Sequence, residues 1–174
     1  MLAPLTHKMP APPVIFKSLE IRSEWIRNLV GNTLAVPIAA KTAPHSLHFA
    51  FDPEPVPVDF LSRAGGALGL RPSAFVTASQ DLVGVDDSIA AQSARYPELR
   101  TPGGVFYGAQ DTILSPALHG PPMTEFGLFY EEVDGLGHMT PITVPDQCAD
   151  FIRRVIQSAA DTSNSGEDEN TQTI

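Results

Sequence analysis

The sequence holds a single cysteine, Cys148. An internal disulfide framework and a zinc site built from paired thiolates are both excluded. Basic residues are scarce: 11 Lys and Arg stand against 20 Asp and Glu, a formal net charge of −9 at pH 7. No basic patch with interleaved aromatics occurs, so nucleic acid and anionic membrane surfaces are disfavoured as partners. Long apolar runs are missing as well. No stretch approaches the length of a membrane span, and the opening "MLAPLTHKMP" has no uninterrupted apolar core of the kind a secretory signal needs. The expectation is a chain without a membrane span, in the cytoplasm. The run "AGGALG" is not followed by Lys-Ser or Lys-Thr, and reads as a bend rather than a phosphate loop.

What is present is enough for one globular body: 174 residues, 43% of them hydrophobic. The opening "MLAPL" reads as the end of a buried strand, so the boundary at residue 1 is expected to cut through a sheet. Residues 18–30 suit a helix, with Trp25 and Leu29, and Ile26 and Val30, as i,i+4 pairs. Pro37, Pro44, Pro53, Pro55 and Pro57 then predict short helical pieces joined by bends. Residues 73–95 form the clearest helical pattern, with Phe75, Ala78, Leu82, Val85 and Ile89 as its apolar stripe. Two strands follow, a short one in "GGVFYG" from Gly103 to Tyr107 that ends at Gly108, and the run "LFYEEV" over 128–133, separated by "HGPPM", whose prolines exclude a long regular element. A last helix begins near Val144, capped by Thr143, with Cys148, Ile152, Val155 and Ile156 as its buried stripe. Cys148 is then a core residue. From residue 158 the chain is small, polar and acidic, and disorder is expected.

Two residues carry the chemistry. Asp111 lies just past the first of these strands, and His138, in "DGLGHMTP", just past the second, where open α/β sheets put their functional groups. An aspartate that accepts a hydrogen bond from one imidazole nitrogen sets the tautomer and leaves the other nitrogen to take a proton from a nucleophile. The plainer readings are a turn-forming aspartate and a locally satisfied histidine. His119 is either a wall or alternative base of the same site, or a loop imidazole. A metal site from Asp111, His119 and His138, or from the pair His45 and His48, has no supporting ligand spacing. Glu131 and Glu132 point to opposite faces of a strand and make no acid–base dyad. No cofactor is implied.

The order "YGAQDTILSP", then "GLGHM", then a closing amphipathic helix resembles the C-terminal part of the α/β-hydrolase family. The resemblance implies an α/β fold comprising strands six to eight with flanking helices plus a mainly helical lid. Residues 1–7 would be the end of a core strand, 8–72 the lid, 73–157 the C-terminal part of the core and 158–174 an acidic tail. It implies Asp111 as the acid and His138 as the base of a Ser-Asp-His triad acting on carboxylic esters, in the manner of esterases and lipases. Trp25, Phe49, Phe51 and Phe60 would line an acyl pocket. The nucleophile elbow G-x-S-x-G, which precedes both partners in that family, does not occur. None of Ser18, Ser23, Ser46 or Ser62 has an elbow around it. The implied unit is therefore the acid–histidine half of a hydrolase, inactive by itself, whose partners are a complementing N-terminal half or a second strand edge, and a hydrophobic ester once complete. Two other readings stay open: a non-catalytic interaction protein made from the same half fold, and part of an epoxide hydrolase or haloalkane dehalogenase-like enzyme with an aspartate nucleophile.

Overall fold

The computed structural model describes residues 1–11 and 13–170, the side chains of 162–170 excepted. The fold is mixed α/β and divides into two compact units, Met1–Thr6 with Arg95–Ile174, and His7–Ala94.

The first unit is built on a parallel pair, β1 (Gly104–Gly108) and β2 (Phe129–Val133), in register from Gly104 opposite Phe129 to Gly108 opposite Val133. Leu2 bridges Phe106 in parallel as well. The Phe106 amide donates to Met1 O at 3.0 Å and the Ala3 amide to Phe106 O at 2.8 Å, so β1 is flanked on both edges and wholly buried. Burial on both faces is why β1 reads as a nearly continuous apolar run. Its side chains still alternate. Val105 and Tyr107 join Ala3, Tyr96, Met123 and Leu128 in one cluster, whereas Phe106 joins Cys148 and Phe151 in another.

The crossover between the strands is made of short pieces, α4 (Pro116–His119) and a 3-10 helix (Pro121–Phe126), because Pro121 and Pro122 deny the helix its donors. After β2 comes α5 (Thr140–Thr143), then α6 (Pro145–Asn170). The expected buried stripe of this last helix is corrected. Phe151, 1% exposed, and Cys148 face the sheet with Val155 behind them, whereas Ile152 and Ile156, 63% exposed, face outward. Thr143 does not act as a cap there; its hydroxyl bonds Met139 O inside α5. The helical backbone runs on past residue 158, where the acidic composition predicted loss of order; 171–174 lie outside the described residues. Ala159, Ala160 and the Gln157–Asp161 i,i+4 bond at 3.0 Å favour the continuation.

The second unit is helical. A 3-10 helix (Val14–Leu19) leads to α1 (Glu24–Val30), whose N-cap Ser23 accepts from the Ile26 amide. A π turn (Gly31–Ala35) carries α1 directly into α2 (Val36–Phe51). The helix is not interrupted at Pro37 or Pro44, contrary to the expectation of short pieces. Pro37 comes just after the π turn, where the regular α ladder is already altered, and Pro44 lies on an exposed face where water can take the freed carbonyl. The glycines of "AGGALG" make a turn at Gly65, with φ of 77°, and a 3-10 helix (Gly66–Leu70).

Helix α3 (Pro72–Ser93) packs within this helical unit, although the sequence groups it with the C-terminal part. Two contacts hold it. A β-carbon on Gly31 would lie 2.7 Å from Val76 Cγ2, so the π turn brings backbone against α3. Buried Arg27 donates to Ser79 Oγ at 3.1 Å and to Ile21 O at 2.7 Å, and Ser79 donates to Leu19 O at 2.6 Å. The stripe is therefore centred on Phe75, Ser79, Leu82 and Ile89, with Ala78 and Val85 exposed. Trp25 is 73% exposed, while Phe51 is buried edge-on against Phe60 with ring centroids 5.0 Å apart. Among the described residues no helix is long and apolar enough to cross a membrane.

Candidate functional site

The parallel pair sets the geometry, because residues leaving β1 and β2 emerge at the same end of the sheet. Asp111 follows β1 by three residues and His138 follows β2 by five. Their side chains meet. His138 Nδ1 lies 2.8 Å from Asp111 Oδ2. The Asp111 side chain is fully buried, and that of His138 is 25% exposed.

A buried carboxylate needs donors on both oxygens. Oδ1 of Asp111 accepts from the backbone amides of Ile113 at 2.9 Å and Leu114 at 2.8 Å, which closes a turn of the kind aspartate favours after a strand. Oδ2 is left for the imidazole. The aspartate is thus both a turn former and a histidine partner, one oxygen for each. With its proton on Nδ1, the imidazole donates to Asp111 and presents Nε2 as an acceptor. The bond to Asp111 is the one that this ring makes among the described residues. An imidazole held in this way can remove a proton from an approaching hydroxyl and return it to a leaving group.

The two loops reach each other because of glycine. A β-carbon on Gly108 would lie 2.3 Å from Leu136 O and 2.4 Å from Gly137 O, so any side chain there would force the loops apart. Gly135 supplies φ of 79° for the turn that leaves β2. Leu136 is buried beneath that turn, and its carbonyl accepts the Gln110 amide at 2.9 Å. Val133 O likewise accepts the Ala109 amide at 2.9 Å. Gln110 adds two side-chain bonds to the same loop, to Asp134 Oδ1 at 2.7 Å and from the Gly135 amide at 2.6 Å. Sequence reasoning did not find Gln110 or Gly108. The available signal was their position between a strand end and Asp111, in "GAQD".

His119 is not in an open loop. It ends α4 wholly buried, its carbonyl accepting Thr6 Oγ1 at 2.8 Å and its Nδ1 3.3 Å from the Thr6 amide. Tyr96 donates to Thr6 O at 2.6 Å, and Tyr107 to Pro4 O. This buried polar group ties residues 4–6 to the crossover. Burial and then the nearby Asp111 charge raise the Tyr107 phenol well above its ordinary value, so the hydroxyl remains a donor. Glu131 pairs with Arg154 and Glu132 accepts from Tyr130. His45 and His48 are both exposed. Among the described residues no three His, Cys, Asp or Glu side chains gather as a metal set. Cys148 is buried, and burial raises its thiol against a smaller opposing pull from Thr140.

No protein-family model matches the chain, and no curated protein matches it. Among solved structures it is similar to an alpha/beta hydrolase enzyme from a Medee basin deep-sea metagenome library, at 13% identity and a TM-score of 0.41. That match covers 90% of this chain and 54% of the other, so the chain spans about half the length of that enzyme. The likeness is a loose and partial one to an α/β-hydrolase fold.

Proposed function

We propose that Asp111 and His138 are the acid and base of a hydrolytic site of the α/β-hydrolase type, acting on carboxylic esters once a nucleophile is supplied. The observation that carries the reading is the 2.8 Å contact between His138 Nδ1 and an Asp111 carboxylate whose other oxygen is held by two amides. A turn-forming aspartate alone needs no imidazole, and a locally satisfied histidine needs no buried carboxylate. Their conjunction beyond the ends of two parallel strands suits a proton-transfer dyad.

In the complete site His138 Nε2 takes the proton of a serine hydroxyl as its oxygen attacks the ester carbonyl. Asp111 stabilises the imidazolium, and the proton passes to the departing alcohol. Water activated by the same nitrogen then releases the acid. Oxyanion donors and the serine come from a polypeptide segment other than residues 1–174. In this reading residues 1–7 are the end of the family's sixth strand, β1 and β2 its seventh and eighth, and residues 8–72 its lid.

The test joins this chain to the in-frame coding sequence upstream of Met1 and assays short-chain nitrophenyl esters. The expected result is an upstream G-x-S-x-G elbow and turnover that falls roughly 10³- to 10⁴-fold with His138→Ala or Asp111→Asn. An upstream sequence without an elbow, or turnover indifferent to His138, overturns the proposal. Labelling of residues 1–174 alone by a fluorophosphonate probe in a His138-dependent manner would show that the site already has its nucleophile.

A further inference from the structure

We propose that the helical unit carries a surface for self-association: an exposed apolar ridge along α1, the π turn and α2 that pairs, antiparallel, with the same ridge on a second copy of this chain. Neither Asp111 nor His138 takes part, so the ridge and the hydrolytic reading hold or fail separately.

Trp25, Leu29, Leu34 and Ile38 are between 48% and 73% exposed. They follow one another at steps of four, five and four residues. In an unbroken α-helix the five-residue step would carry Leu34 about 140° round the axis from Leu29, toward the side on which Arg27 and Gly31 are buried. The π turn (Gly31–Ala35) lies in that interval, and its wider ring takes up the extra residue. Leu34 and Ile38 therefore stay on the solvent side with Trp25 and Leu29, while Ala35 stays buried on the side of Arg27 and Gly31. The row is about 20 Å long. Surface apolar residues scattered singly need no explanation, but a continuous row of four large ones marks an interaction site.

Charge selects the occupant and its direction. Glu24 stands one residue before the ridge and Lys41 three residues after it; both are exposed, and neither joins an ion pair among the described residues. The neighbouring Arg22 is already held by Asp86 and Asp87. A two-fold axis between Leu29 and Leu34 sets Trp25 of each copy against Ile38 of the other, and Leu29 against Leu34. It also brings Glu24 of each copy to the end that carries Lys41 of the other, which makes two complementary pairs per dimer. A parallel pairing would set Glu24 against Glu24 and Lys41 against Lys41. The net charge of −9 opposes association of copies, but at about 0.15 M salt it is screened beyond about 8 Å. Four apolar side chains from each copy make a small contact, so the dimer is a reversible one.

The experiment follows the whole 174-residue chain by sedimentation equilibrium from roughly 1 µM to about 1 mM. The mass is expected to rise from one copy to two with concentration. Trp25, the chain's only tryptophan, should shift its emission to the blue over the same range, since pairing removes it from water. Leu34→Asp is expected to abolish the dimer and leave the melting transition of the dilute chain nearly unchanged, because the side chain is exposed. Glu24→Lys and Lys41→Glu should each weaken association about tenfold, and the double change should restore it. A one-copy mass throughout, or association untouched by Leu34→Asp, overturns the proposal. Association indifferent to both charge reversals overturns it too, since an antiparallel pair cannot ignore them. A blue shift of Trp25 produced by phosphatidylcholine vesicles but not by concentration would give the ridge to a lipid surface and overturn the dimer.

Discussion

Gly104 of β1 and Phe151 of α6 share one space: a β-carbon on the glycine would lie 2.7 Å from Phe151 Cζ and 2.8 Å from Val155 Cγ2. The strand omits a side chain where the helix inserts a ring, and that ring also packs on Phe106 with centroids 5.3 Å apart. Gly104→Ala is therefore expected to destabilise the chain by about 1–3 kcal/mol through overpacking. Urea unfolding monitored by circular dichroism checks it; an unchanged midpoint would mean that α6 does not rest on β1 as described.

The same helix offers a paired comparison. Phe151→Ala removes a fully buried ring and is expected to cost about 3–5 kcal/mol. Ile152→Ala, on the outward face, should lie within about 0.5 kcal/mol of the parent. Equal losses from the two, in the same unfolding assay, would restore the stripe through Ile152 and Ile156.

Gly108→Ala tests the approach of the two loops. Its β-carbon would meet the backbone oxygens of Leu136 and Gly137, which cannot rotate away as a side chain can. The expected outcome is separation of Asp111 from His138 in a chain that still folds. The measurable signs are loss of the low-field NMR signal of the His138 Nδ1 proton and faster modification of His138 by diethylpyrocarbonate. An intact signal would show that the loops can meet without glycine.

Alkaline pH should weaken the fold, through tyrosine. Burial is the largest cause raising both phenols; the Asp111 charge adds to it at Tyr107 and the bond to Glu132 adds to it at Tyr130. Below pH 10.0, the ordinary tyrosine value, both phenols are protonated whether or not the chain is folded. As pH rises past that value the unfolded phenols ionise first, the unfolded state binds fewer protons, and stability falls with increasing pH. Urea midpoints from about pH 8 to about pH 11 should decline in the upper part of the range. Tyr107→Phe should flatten the decline, while losing the bond to Pro4 O costs it about 1 kcal/mol at neutral pH. A slope unaffected by Tyr107→Phe would contradict the assignment.

Cys148 should be inert in the native chain. Its thiol is buried and raised by that burial, and alkylation requires an exposed thiolate. Iodoacetamide is expected to react about 100-fold faster in denaturing urea than in buffer. Comparable rates in the two would place the thiol at the surface.

Much of the first unit is legible in the residues themselves. "GGVFYG" and "LFYEEV" are short runs with apolar or aromatic residues at their core, bounded by turn formers, so the strands and the approximate positions of Asp111 and His138 beyond their ends follow from local chemistry. Proline punctuation led elsewhere. Pro37 and Pro44 suggested bends because the rule against helical proline ignores its surroundings; a position just after the π turn and a solvent-facing side chain removed the objection. On α6, Phe151 and Ile152 are adjacent and both apolar, so periodicity admits either face. The close approach of the Phe151 ring to Gly104 decides between them.

By itself, the sequence determined that the chain is an acidic, single-cysteine α/β protein, with an aspartate and a histidine each just past a strand, because element type and turn position depend on neighbours along the chain. Only the tertiary structure decided that the two strands are parallel and adjacent, that Asp111 turns one oxygen to its own loop and the other to His138, and that Gln110 bridges the loops carrying them. Those relationships join residues 24 to 27 positions apart. Their distances are set by the register of one strand on another and by the room a glycine leaves, which no local pattern records.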